Sequence, residues 1–307
     1  MTLEDFRGDI TVKGVEEAAV KLSGNMSISA LDKDAADQAK ASSSFEITGD
    51  DQNLTVRLKD GGQKRATRIA GNLEITVPKG ASIRATRRSG DIRITGVDGS
   101  VNVDGRGSNV SLEDIAGPVT VDGVFTGSIR AQNIAKQMNF KGRNTQFTVE
   151  KVPGELTVDS GDVNASDVVG PMTITSRSAD MRLTGFTNAL DVTLQRGDLH
   201  VEPGKLPLAP MHLRSKSGDI QVILPEGAQF SVDASTDSGD ISNSFGGGLK
   251  VDERGRRQSL KGSVGSGAAI EIQTNRGDIS ISKGSPISTP TSVGDSTKKG
   301  ALTKIEQ

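Results

Sequence analysis

The chain has 307 residues, a formal net charge of −2, no cysteine, and eight Phe but neither Trp nor Tyr. Without cysteine there are no disulfides and no thiolate metal sites, and the near-neutral balance argues against nucleic-acid binding through bulk charge. So few large rings with 37 Gly suit thin, many-cornered coils better than an ordinary globular core.

From the N-terminus, Ile10, Val12, Val15, Val20 and Leu22 read as a first coil, and Met26 and Ile28 alternate in a further strand. The composition then shifts to Asp, Lys, Ala and Gln between Leu31 and Ser44, which predicts a short helix. Phe45–Thr48 and Leu54–Leu58 flank Gly49–Asn53 as a hairpin. Residues 31–72 are thus expected to form a helix and hairpin insertion that caps the first coils. A basic loop, Lys64–Arg68, closes it. Next comes Leu73–Ala85, LEITVPKGASIRA, which has a distant twin in Ile220–Val232, IQVILPEGAQFSV. In both, proline ends a strand and glycine turns the chain, so two wider coils are expected to bracket a regular middle.

That middle carries the strongest signal. Ile92, Ile94, Val97, Val101 and Val103 fall at offsets 0, 2, 5, 9 and 11, and the same offsets return from Val110, Ile129, Phe147, Val163 and Met181. Each unit holds two period-2 runs joined by turn residues, and a single unit cannot bury its own apolar face. Stacked units can, each row of like residues packing on itself at about 4.8 Å per coil. The predicted fold is all-β: a parallel β-solenoid with coils of about 18–21 residues and two or three sheets. Corners recur as Ser89-Gly90-Asp91, Ser160-Gly161-Asp162, Arg196-Gly197-Asp198, Ser217-Gly218-Asp219 and Ser238-Gly239-Asp240. There glycine permits positive φ and the aspartate is expected to close an Asx-turn.

Beyond Leu199 the coil is loosened by Pro203, Pro207 and Pro210. Gly246–Gly267 reads as a mobile loop, and Ile270, Ile272, Ile279 and Ile281 restore two final strands. The solenoid is expected to span 1–284 as one domain, with 285–307 a disordered tail rich in Pro, Ser, Thr and Lys. No apolar run approaches a membrane span, and no signal peptide is visible.

The recurrent Ser-Gly-Asp-Ile/Val corners and the element Val77-Pro78-Lys79-Gly80-Ala81-Ser82-Ile83 resemble a bacterial adhesin-like β-strand-repeat family, a domain of unknown function akin to GIN-type heads of auto-transporter adhesins. The resemblance covers roughly residues 5–283. It implies a parallel β-helix tethered to, or exported across, a bacterial membrane, and it supplies no catalytic residues.

Three residue rows are candidates for chemistry. Asp91, Asp162, Asp180, Asp198, Asp219 and Asp240 stack at the corners; turn capping accounts for them better than calcium, because the Gly-Gly-x-Gly-x-Asp pattern is lacking. Arg88, Arg106, Arg143, Arg177 and Lys216 precede the corner residues by three, which predicts an ion-pair ladder with the aspartates or an anionic glycan stripe. Outward Thr residues on the second strand are explained by β-propensity. His200 and His212 fall on different strands of one coil, so no shared metal site is expected, and no cofactor or metal is implied. The sequence thus reads as a non-enzymatic cell-envelope solenoid, an adhesin, surface or scaffold module contacting surface glycan or protein, or itself through its end strands. Its alternatives are a polysaccharide-degrading β-helix and an intracellular polymerising scaffold.

Overall fold

The computed structural model describes residues 1–50, 52–60, 67–143, 146–246 and 248–284. Most of the basic loop and the whole 285–307 segment therefore lie outside the described residues. Among those described, fifteen strands form one sheet and thirteen the other, and each regular coil contributes one parallel strand to each. The offset pattern is the register. Ile92 pairs with Val110, Val110 with Ile129, Ile129 with Phe147, and the row continues through Val163, Met181, Leu199 and Ile220. Facing it, Val103, Val121, Phe140, Leu156, Ile174, Val192 and Leu213 form a row of the fifteen-stranded sheet.

Alternation explains why these rows are dry. Val101–Gly107 buries Val101 and Val103 and exposes Asn102 and Asp104, as a strand with one face on a core must. Each buried Val, Leu, Ile or Phe contributes roughly 1.5–3 kcal/mol before chain entropy is subtracted. Two rings fit where coils abut: Phe140 and Phe147 stack with centroids 4.8 Å apart.

One unit departs from its offsets. Phe140 pairs with Leu156 rather than Val158, and Met138 pairs with Gly154. The coil begun at Phe147 is two residues shorter before its second strand, so Gly154 takes a row position held elsewhere by Met138 and Met172. A Cβ on Gly154 would lie 2.1 Å from the Met138 carbonyl oxygen, so this tight step requires glycine.

The ends are threaded differently. Thr2–Arg7 pairs with Leu54–Asp60 on one side and Ile83–Ser89 on the other. Ile10–Val15 lies between Arg68–Pro78 and Ile92–Val97. The first coil is therefore inserted one coil in from the end of the stack. The C-terminus mirrors this arrangement. Ala268–Thr274 lies between Met211–Ser215 and Phe230–Thr236, and Ile279–Gly284 between Ile220–Pro225 and Ile241–Asn243. The two sequence twins make room for these inserted coils. Elsewhere the chain climbs one row per coil, but Pro78–Ala81 and Pro225–Ala228 each carry it across two. Both close as turns, the Ala81 and Ala228 amides donating to the Pro78 and Pro225 carbonyls at 2.9 and 3.1 Å.

Two expectations are corrected. Val20 and Leu22 do not complete the first coil: Ile83 and Ala85 fill that slot, paired with Val101 and Val103. The chain instead reverses into Lys21–Ser29, antiparallel to Arg68–Pro78, leaving Val20 exposed. Gly246–Gly267 is not a loop throughout, since Leu249–Arg254 and Arg257–Val264 pair as an antiparallel hairpin that continues from Phe230–Thr236. Its charged outer side chains hid a strand whose inward residues are few, Leu249 and Leu260. At the other end, the helix Lys33–Ser42 links the edge strands Lys21–Ser29 and Ser43–Gly49. Asp32 caps it through its Oδ1, which accepts from the Ala35 amide at 2.7 Å. No helix among the described residues is long and apolar enough to cross a membrane.

Candidate binding surface

The corner aspartates form a ladder along the solenoid axis. Five Asp backbone amides donate to the Oδ1 of an aspartate in the adjacent coil: Asp91 to Asp9 at 2.9 Å, Asp198 to Asp180 at 2.9 Å, Asp219 to Asp198 at 2.9 Å, Asp278 to Asp219 at 2.8 Å and Asp240 to Asp278 at 2.8 Å. Asn109 and Ser128 continue the pattern. The cap therefore reaches the next coil rather than closing within its own turn. Glycine permits the close stacking, since a Cβ on Gly218 (φ 137°) would sit 2.0 Å from the Gly197 carbonyl oxygen.

On the outer face of the thirteen-stranded sheet, this ladder borders a groove of about 610 Å³ that also takes in Arg182, His200 and Gln221. His200 Nδ1 lies 2.9 Å from Gln221 Oε1 and its Nε2 lies 3.7 Å from Glu202. His212 sits on the other sheet, between Asp191 at 4.0 Å and Glu271 at 3.9 Å. No group of three or more His, Asp or Glu among the described residues is arranged to hold a metal ion.

The basic row runs along the fifteen-stranded sheet at the strand ends. Arg106 pairs with Val124 and Val124 with Arg143. Arg143 and Arg177 each follow paired positions two rungs apart, Gly142 to Val158 to Ser176. Lys216 stacks beside Gln195, its amide donating to the Leu194 carbonyl at 2.9 Å. The row is thus real as geometry but not equally occupied, with Val124, Asp159 and Gln195 at the intervening positions. Arg143 and Arg177 line one groove of about 690 Å³ together with Asp122, Val124 and Lys141. Arg88 lines a separate cavity of about 380 Å³ with Arg7, Glu46, Arg57 and Lys59. Arg106 and Lys216 fall outside both.

Lys141 was not singled out in the sequence, although it lies two residues before Arg143 and so shares its face. Gly123 and Gly142 line the groove and continue a glycine row from Gly105, in which a Cβ on Gly123 or Gly142 would lie 1.9 Å from the carbonyl oxygen one coil below. The same row holds a bulky member nearer the N-terminus. Arg87, paired with Gly105, is 2% exposed, and its Nη2 donates to the Gly90 carbonyl while Nε and Nη1 have no partner. Burial pulls its pKa down to about 10, against the pull of Asp91 and Asp9.

With the stacked rows, the Ser-Gly-Asp corners and the Pro-x-Gly-Ala turns in place, the family profile that fits this layout matches residues 1–282. The chain belongs to the Toastrack DUF4097 family. That family is a domain of unknown function. A solved structure of a "putative cell adhesion protein" from Clostridium sporogenes is 13% identical, covering 92% of this chain and 91% of that one at a TM-score of 0.20. A likeness that slight bears on neither fold nor function. Comparison with curated proteins returns no match.

Proposed function

We propose that this Toastrack chain is a non-enzymatic, adhesin-like module of the cell envelope that holds an extended anionic surface polymer along its fifteen-stranded sheet. The observation that carries the reading is the groove in which Lys141, Arg143 and Arg177 converge. Along the same row, Arg106, Arg143 and Arg177 stand two rungs apart, or about 10 Å at the usual strand spacing. A polymer bearing carboxylate, sulfate or phosphate at a comparable repeat would meet one cation per period, and arginine's forked donors suit such groups. Val124, 44% exposed between Arg106 and Arg143, offers an apolar patch for a sugar face.

A glycan-cleaving reading would draw on the other groove, where Asp180, Asp198 and Asp219 lie near Arg182 and His200. Those aspartates each commit Oδ1 to the next amide in the ladder, which supports a structural role. The deciding experiment is titration of the full chain with polygalacturonate, with neutral dextran as control. Binding is expected to weaken about tenfold or more in R106A/R143A/R177A and with added salt. Equal affinity of that variant would overturn the stripe, and release of new reducing ends would favour the enzyme.

A further inference from the structure

The two ends of the stack are unequally protected. At the C-terminal end, Leu249–Arg254 carries Lys250, Asp252, Glu253 and Arg254, and the other edge strand, Ile241–Asn243, has three residues. Charged or very short edges resist strand addition. At the N-terminal end, Ser43–Gly49 presents Glu46 near its centre. Lys21–Ser29 has no such guard. It forms the edge of the thirteen-stranded sheet, is nine residues long, and carries no charge from Leu22 onward. Exposed apolar residues gather around it: Val20 before the strand, Leu31 after it at 84% exposed, and Ile47 on the neighbouring edge.

We propose that Lys21–Ser29 is the contact of a two-fold symmetric dimer, in which two copies pair this strand antiparallel and run the thirteen-stranded sheets together. The strand complements itself about Asn25. A dyad perpendicular to the sheet keeps each face on its own side, so opposed residues share parity. Toward the core, the partly buried Leu22 and Ile28 then meet Ile28 and Leu22 of the second copy, and the second copy's Met26 comes opposite Gly24, whose core side is filled by Leu73 and Phe45. On the outer face, Ser23 meets Ser27, and Lys21 meets Ser29. The two Lys21 charges are held at opposite ends of the pair, about 27 Å apart for eight residues at 3.4 Å each. Parallel pairing would instead bring them together. Head-to-tail growth would have to use the charged or three-residue C-terminal edges, so association closes at two copies instead of running into a filament. This dimer is independent of the groove and its ligand.

The test measures the mass of the full chain by light scattering and sedimentation from micromolar to hundreds of micromolar. Wild type is expected to reach a dimer and stop there. S23K/S27K and S23E/S27E each set like charges opposite one another and are expected to raise the dimer dissociation constant about tenfold or more. Mixing the two variants equimolar is expected to restore the dimer as a heterodimer, whereas V251K on the opposite end leaves wild-type association unchanged. Strand circular dichroism confirms that each variant is folded. A wild-type monomer throughout, assembly beyond two copies, or a mixture no tighter than its components would each overturn the proposal.

Discussion

The middle coils and the two ends use the same kind of inward-facing rows, but they are assembled by different rules. In the middle, each coil rests on the one before it, so contacts are about one repeat apart in sequence. At the ends, a terminal coil is held between two coils belonging to other parts of the chain: Ile10–Val15 beside Arg68–Pro78, and Ile279–Gly284 beside Ile241–Asn243. A repeat that stacks only on neighbours can be lost or gained with modest effect. A coil locked between two others cannot, because its removal bares rows on both sides. The difference teaches how the outermost rows are supplied, by threading: Ser43–Gly49 and Leu249–Arg254 enter as hairpin strands of the fifteen-stranded sheet, and Lys21–Ser29 and Ile241–Asn243 as edge strands of the thirteen-stranded one.

The largest effects should come from testing that rule directly. Deleting Val110–Ser128 removes one coil and lets Ile129 take the place of Val110 on Ile92; the product is expected to fold, with a small drop in Tm. Ending the chain at Gly267 removes the buried Ile270, Ile272, Ile279 and Ile281 and should cost several times more. At roughly 1.5–3 kcal/mol per side chain this is a loss of order 6–12 kcal/mol before entropy, and a peptide of residues 268–284 should restore part of it. Calorimetry on the two deletions decides; equal losses would erase the distinction between middle and ends.

A smaller effect separates the two regions within one row. Arg87 stands where Gly105, Gly123 and Gly142 follow, and its charge is buried with two nitrogens unpartnered. Its folded pKa, about 10, is below the ordinary arginine value. The unfolded chain therefore binds the proton more tightly, so the charge is a net cost at neutral pH that is relieved as pH climbs past about 10. R87M, which keeps the length but not the charge, is expected to stabilise by about 1–2 kcal/mol at pH 7. In Tm measurements that gain should shrink in strongly alkaline buffer; a clear destabilisation would mean the Gly90 bond outweighs desolvation.

The smallest effect lies in the ladder. D198A removes the acceptor for the Asp219 amide and should cost about 1 kcal/mol in denaturant unfolding. D198N keeps that acceptor, as Asn109 does for Ser128 at 2.8 Å, and should be neutral or slightly stabilising at low salt. A loss in D198N equal to that of D198A would show that the charge, not the acceptor, matters.

Much of this was legible beforehand, for reasons specific to particular residues. Ile92, Val110, Ile129 and Phe147 could be aligned because the core demands the same residue class at the same offset. The two-residue slip at Gly154 could not, since Leu156 and Val158 are both apolar and either satisfies the pattern. Arg106, Arg143 and Arg177 were found as a row from their constant distance to the corner. That Arg143 shares a groove with Lys141, while Arg88 faces the N-terminal hairpin, depends on which coils flank each. The hairpin at Leu249–Val264 was missed because only one of its faces meets the body, and that face contributes few apolar residues.

The sequence by itself determined the winding: the same apolar offsets return in unit after unit, which favours stacked parallel coils as the way to bury rows of Val, Ile and Leu. It also carried the mark of the ends, because Pro78–Ala81 and Pro225–Ala228 are alike. Only the tertiary structure decided what that likeness means, a stride over an inserted coil. Row order is set by which strands find partners across long chain separations, and local periodicity is the same whichever neighbour a strand takes.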